Sequence, residues 1–297
     1  MKTNILYKLG IAALLAALLM LTGCKDSFLE VEPGKKMTLT EYFSTDEHIY
    51  EAVAATYHPM RLFDWNGATY NPINICSEVM TDNFWAGGAD LNDYTYWHYM
   101  EDFKADPLHT LDGIWKQCYL GVKNANDVLS YVETGKDKIT AEHQKLYTEE
   151  AMVLRAFYYC QLWKFYGYIP VYMKNLTSPY TCEQSAPDAA YDAIITSLEE
   201  AIAIGALPMQ WDDANLGRVN RATAYMLYAE MVMYQNDESR YSKALEYMRQ
   251  IINSGKFALH DNYAALWTKE GEWTKESIFE INYTDGPNGK RAYGGGV

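Results

Sequence analysis

Between Thr81 and Tyr99 the chain sets Asp82, Asn83, Asn92 and Asp93 beside Trp85, Tyr94, Tyr96, Trp97 and Tyr99, around a Gly87-Gly88 step that marks a loop. Flat rings next to amides and carboxylates meet the two needs of sugar recognition, apolar stacking against C–H faces and directional hydrogen bonds to hydroxyls. Asp82, Asn83, Trp85, Tyr94, Tyr96 and Trp97 are therefore the candidate ligand-binding residues. A second reading stays open for the cluster, in which several of these rings simply close a lid over a helical core. Trp85, set among glycines, is assigned to the ligand.

Bond-breaking chemistry is not expected. Asp82, Asp90 and Asp93 could in principle pair with a glutamate as the two carboxylates of a secreted glycosidase. The sequence shows no strand-end framework to fix such a pair, no Ser/His/Asp arrangement and no phosphate loop, and its six histidines are scattered singly. Cys76, Cys118, Cys160 and Cys182 have no C-x-x-C spacing and no histidine at ligand spacing, so neither a metal nor another cofactor is expected. An even count permits disulfides in an exported protein, but Cys118 and Cys160 fall on apolar helical faces and read as buried thiols. The formal net charge is -14, and it grows to -16 without the first 23 residues, which carry Lys2 and Lys8 and no acid. Such a body is repelled by phosphate backbones, which disfavours nucleic acid, whereas a neutral ligand suits it. The chain has 26 Tyr and 8 Trp against 9 Phe, and rings with a polar handle suit half-wet surfaces.

Cys24 carries chemistry of a different kind. Lys2 and Lys8 precede a 13-residue apolar run, Leu9 to Leu21, too short for a comfortable permanent span but right for the core of a signal peptide. Leu21-Thr22-Gly23-Cys24 follows and resembles the lipobox of bacterial lipoproteins, in which the cysteine is diacylated and its amine acylated. Two or more acyl chains anchor stably where one binds only marginally. Residues 1–23 are accordingly expected to be the signal peptide and 24–39 an acylated tether.

The element that must position the rest is the helix expected to end near Tyr166. Ala151, Leu154, Tyr158, Leu162 and Phe165 form one apolar stripe, widened by Val153, Phe157 and Cys160, so it needs partners on two sides. Gly167 and Pro170 stop it. Arg155 lies inside that apolar surface, and burying it requires a carboxylate or several carbonyls; an ion pair is the expectation.

Leu-Arg-Ala-Phe-Tyr-Tyr followed by Leu-Trp-Lys-Phe-Tyr-Gly-Tyr-Ile-Pro-Val-Tyr, from Leu154 to Tyr172, resembles the signature helix of the RagB/SusD family. The resemblance extends to Trp115 and Tyr119 with Asn124 to Asn126, to Gly217-Arg218 before Ala222, and to Ser254 to Leu259. It implies an all-α scaffold of tetratricopeptide-like helix pairs with long irregular loops and minor β structure. It also implies a lipoprotein on the outer membrane, facing the cell exterior, that binds an oligosaccharide or polysaccharide and passes it to a SusC-like TonB-dependent transporter. Family members continue well past residue 297, so residues 40–297 are expected to be the helical part of a truncated form. A lipid-anchored helical adaptor for another protein is the other non-enzymatic reading.

Other helices are read from their punctuation. One starts at Ser44 to Asp46 with Ile49, Val53, Tyr57 and Met60 inside, ending by Asp64 and Asn66-Gly67; another runs from Pro107 to Gly135. Ser185 is read as a cap before Pro187, and Asn220 as a cap before a helix burying Tyr225, Met226, Ala229, Val232 and Met233. Ser239 opens a helix with Ala244, Leu245, Met248, Ile251 and Ile252, and Ser277 to Tyr283 alternates like a strand.

Overall fold

The computed structural model describes residues 37–62 and 71–281. The signal segment, Cys24, most of the tether, Asp64, Asn66-Gly67 and the end of the 277–283 segment lie outside the described residues. A four-residue helix, α1 (Leu39–Tyr42), belongs to an N-terminal unit, and the helical body is a second unit that begins at Phe43.

Within the body the helices are α2 (Asp46–Tyr57), α3 (Ile73–Glu78), α4 (Thr95–Glu101), α5 (Asp112–Gly135), α6 (Ala141–Tyr166), α7 (Pro187–Ile204), α8 (Arg221–Gln235) and α9 (Tyr241–Asn253). The long ones stack in series: α2 on α5, α5 on α6, α6 on α7, α7 on α8 and α8 on α9. This is an all-α body in which each long helix packs on the next long one. Two-residue strands β1 (Ile169–Pro170) and β2 (Gln184–Ser185) pair antiparallel, with Ile169 opposite Ser185.

Local chemistry sets the ends of α6. The Thr140 hydroxyl accepts from the His143 N–H at 3.1 Å at its start, and Gly167, at φ +67°, donates its N–H to the Trp163 carbonyl at its end. From Tyr147 to Trp163 α6 is almost wholly covered, and its buried set includes Glu149, Glu150 and Arg155 as well as the expected apolar residues. The expected ion pair at Arg155 is not there. Its Nη1 donates to Asn126 Oδ1 of α5 at 2.7 Å and to the Met173 carbonyl at 2.8 Å, and its Nη2 donates to Ser197 Oγ of α7 at 2.9 Å. Neutral acceptors from two helices and one loop replace a carboxylate, and desolvation pulls the guanidinium pKa below its ordinary value.

Gly121 of α5 faces Tyr158 of α6. Tyr158, fully buried, lays its ring against that glycine and donates its hydroxyl to the Thr56 carbonyl of α2 at 2.6 Å. A Cβ on Gly121 would meet the ring at 2.2 to 2.4 Å, far inside contact distance.

Several expectations are corrected. Ser185 lies in β2, and the residue preceding α7 is Ala186, with no side-chain cap; Pro187 starts the helix. Asn220 does cap α8, in a reciprocal box with Thr223, but Met226 and Met233 face outward while Tyr228 and Met231 join Tyr225 and Val232 inside. The tyrosines can go in because their hydroxyls find partners, Tyr228 on Glu199 Oε1 at 2.8 Å and Tyr225 on Gln250 Oε1 at 2.9 Å. On α9, Ala244 and Ile251 are buried, whereas Leu245 and Ile252 are exposed. The helix over Ile49 ends at Tyr57, with Met60 in a following 3₁₀ turn, His58–Met60. Residues 277–281 form no strand.

Two outcomes follow from this packing. Gly121→Ala is expected to destabilise the body by about 1–3 kcal/mol through overpacking, read as a lowered melting temperature; an unchanged melt would show that Tyr158 has room to move. Glu149 is buried with its pKa raised, chiefly by desolvation and against the N–H groups of Ala206 and Leu207 that it accepts. A raised folded-state pKa means the folded protein holds this proton more tightly than the unfolded chain, so stability falls as pH rises from the ordinary carboxylate range through the raised value. In urea titrations across that window, Glu149→Gln should flatten the slope.

Candidate functional site

α3 ends at Glu78, and the chain then runs through Thr81 to Asp93 as an irregular loop before α4. Two glycines make the loop possible: Gly87 and Gly88 sit at φ +72° and +90°, in the left-handed region open to glycine. Short polar links hold its far side. Asp90 Oδ1 accepts the Asn92 N–H at 2.7 Å, Asp93 Oδ2 accepts the Ala89 N–H at 3.1 Å, and Glu101 of α4 accepts the Ala86 N–H at 3.4 Å. Tyr94 enters α4 in the left-handed conformation, φ +55°, which turns its ring back over the helix.

The six candidate residues are placed differently. Trp85 is 72% exposed and presents its indole to solvent. Tyr94 and Tyr96 are each about half exposed, at 45% and 46%. Asp82 and Asn83 are exposed, and their side chains meet no hydrogen-bonding partner among the described residues. Trp97 is the exception: at 7% exposed it lies in the interior, with the Tyr94 ring stacked on it at 4.7 Å and 18°. For Trp97 the lid reading describes the structure, since a face already covered by Tyr94 is not offered to a ligand. Tyr99, the last ring of the cluster, stacks on His109 at 4.3 Å, and His109 Nδ1 is held by Asp106 at 2.9 Å.

Exposed rings also occur where the sequence reading assigned none. Tyr263 and Trp267 project from a short 3₁₀ turn, Tyr263–Trp267, capped by Asn262, with their rings edge to face at 6.0 Å. Their signal was a Tyr and a Trp four residues apart behind an asparagine, in a stretch with no periodic pattern to draw attention to it. Phe84 and Phe103 are exposed as well, flanking the loop and the end of α4.

Arg218, quoted above for its sequence pattern, is committed to the fold. Its Nε and Nη2 donate to the two oxygens of fully buried Glu150 at 3.1 and 2.6 Å, its Nη1 donates to Asn215 Oδ1 at 3.1 Å, and its guanidinium lies 4.3 Å from the Trp211 ring centroid. Tyr57 donates to the same glutamate and accepts the Val219 N–H at 2.9 Å. Burial lifts the Tyr57 phenol well above its ordinary pKa. No group of three or more His, Cys, Asp or Glu suited to a metal ion occurs among the described residues. No helix among them is long and apolar enough to cross a membrane.

Comparison with known proteins gives the same picture of the fold. Residues 27–233 match a SusD-like family described as starch-binding and associating with the outer membrane. The body superposes on surface glycan-binding protein A from Bacteroides uniformis with a TM-score of 0.76 and 47% identity, covering 80% of this chain and 53% of that one. The corresponding protein from Bacteroides thetaiotaomicron, solved in complex with laminarihexaose, aligns at 46% identity and a TM-score of 0.75 over 81% of this chain and 50% of its own. A curated relative, SusD-like protein P25 from Formosa agariphila, is 22% identical over 87% of this chain and 49% of its length. The chain thus spans about half the length of the proteins it matches. Because the family match takes in more than half of its residues, the chain belongs to the SusD-like family.

Proposed function

We propose that this chain is the helical portion of a surface glycan-binding lipoprotein that captures a neutral gluco-oligosaccharide of the laminarihexaose type and does no chemistry on it. The observation that carries the reading is the Trp85 platform. An indole open to solvent, the half-exposed rings of Tyr94 and Tyr96 and the uncommitted groups of Asp82 and Asn83 all lie on one exposed stretch between α3 and the first turn of α4, in a chain 46% identical to a protein solved with laminarihexaose. Rings of this kind stack on the C–H faces of glucose units, and the amide and carboxylate take the hydroxyls. Trp97 supports the platform from below by fixing the Tyr94 ring.

Capture without cleavage is supported by how the loop acids are used. Of the three loop acids, Asp90 and Asp93 are spent on the backbone of their own loop, which leaves Asp82 without a second loop carboxylate to complete an acid/base pair. Delivery to a SusC-like TonB-dependent transporter, with the protein held on the exterior of the outer membrane by acyl groups on Cys24, is the destination this reading gives the glycan. It is supported by the lipobox-like Leu21 to Cys24 and by the family's described association with the outer membrane.

Calorimetric titration with laminarihexaose tests the capture. Trp85→Ala is expected to weaken binding by about tenfold or more, roughly 1.4 kcal/mol, with unchanged helicity by circular dichroism; a loss of helicity would make the ring structural. Release of reducing sugar during the titration would support a glycosidase, and absence of both binding and release would favour the adaptor. For the anchor, Cys24→Ala should abolish incorporation of labelled palmitate in an expressing cell, and persistent labelling would overturn the lipobox assignment.

A further inference from the structure

Where α3 gives way to the Trp85 loop, next to Met80, a cavity of about 510 Å³ opens between α3, α6 and the end of α8. We propose that it is a second sugar subsite, separate from the Trp85 platform, that takes a mono- or disaccharide unit of a neutral glycan; the choice of ligand class rests on the proposed function.

Its size falls within the roughly 300–1,000 Å³ usual for small-ligand sites. Half-buried Phe165 and exposed Tyr234 supply two ring faces, and Tyr234 is steadied edge to face on Trp163 at 5.0 Å. The pointer to a ligand is Gln161. It lines the cavity and is only 8% exposed, yet its carboxamide meets no hydrogen-bonding partner among the described residues. Elsewhere along α6, Glu150, Arg155, Tyr158 and Tyr159 are all bonded. An amide that faces a cavity with no protein partner is free to bond a ligand, and a sugar hydroxyl, donor and acceptor at once, matches its needs on both sides.

The charges in the wall select against other ligand classes. The Lys164 ammonium is neutralised by Glu230 at 2.5 Å, and Glu78 adds a negative charge at the rim, so an anionic ligand is repelled. Ser77 donates its hydroxyl to the carbonyls of Ile73 and Asn74, leaving its lone pairs as acceptors toward the cavity. Ring faces, an amide and a hydroxyl acceptor, beside a rim carboxylate that accepts from hydroxyls, are the complement of a neutral polyol.

The test is ligand-observed saturation-transfer NMR with laminaribiose on the full chain carrying Trp85→Ala, which weakens the platform. Saturation transfer is expected, with affinity reduced about tenfold or more when Tyr234→Ala or Gln161→Leu is added and retained in Tyr234→Phe, which keeps the ring. Absence of transfer in the Trp85→Ala chain, or equal affinity in all the variants, overturns the subsite. Laminarihexaose binding by the unmutated chain without disaccharide transfer would sink the subsite and leave the platform reading standing; the converse would sink the platform alone.

Discussion

The body depends on a helix that is buried almost all round yet is not apolar all round. Such a helix is tolerated only if most of the polar groups it takes inside find partners, since each buried group left unpaired costs about 1–3 kcal/mol. α6 bonds outward to nearly every neighbour, although Glu149 Oε1 and the Gln161 carboxamide meet no partner among the described residues. Arg155 reaches α5, α7 and the chain at Met173; Tyr158 reaches α2; Tyr159 donates to the Tyr172 carbonyl and accepts its N–H; Glu150 holds Arg218, and Glu149 the backbone after α7. A slip of α6 by one residue would break these links together. Burying a guanidinium among neutral acceptors adds little net stability, but it ties three elements to one register.

That fixed register explains why the ring-bearing segments can be irregular. The loop after α3 has two glycines in left-handed backbone, a tyrosine forced into the same region at the start of α4, and few apolar contacts of its own. A segment of this kind holds a shape only when its ends are pinned, and here α3 and α4 pin it, with Met100 and Trp97 in the interior as anchors. Rigid helices carrying exposed loops is the common division of labour between scaffold and recognition.

Much of the scaffold was legible because helices announce their ends chemically. Thr140, Gly167 and Asn220 do in the structure what their types suggest, whereas Gly135 is the last residue of α5 at φ -94° and lies against Ile49. The inward faces were less legible. Hydrophobicity alone puts Met226 and Met233 inside and leaves Tyr228 ambiguous, whereas burial is decided by whether a hydroxyl can reach a partner such as Glu199, and that partner lies 29 residues away. Arg155 was recognised as buried, but its neutral partners come from α5, α7 and a loop, a convergence no spacing encodes. At the candidate site, Trp85 among glycines could be read as exposed from its neighbours alone. Trp97 could not be told from it, because the difference lies in the half-turn of α4 that carries one ring inward. Tyr263 and Trp267 were missed for the opposite reason: no periodic pattern surrounds them.

The cysteines bear on how such a body fares in an oxidising compartment. Cys76, Cys118 and Cys160 are all reduced and buried, and desolvation pushes Cys76 and Cys160 up to about 12 and Cys118 further still. Since the thiolate is the species that attacks disulfides and electrophiles, the fold itself keeps these sulfurs out of exchange chemistry. Cys182, half-buried against the Val171 and Glu183 carbonyls, is left as the one described thiol within a reagent's reach, a natural single attachment point for a spectroscopic probe on the intact body.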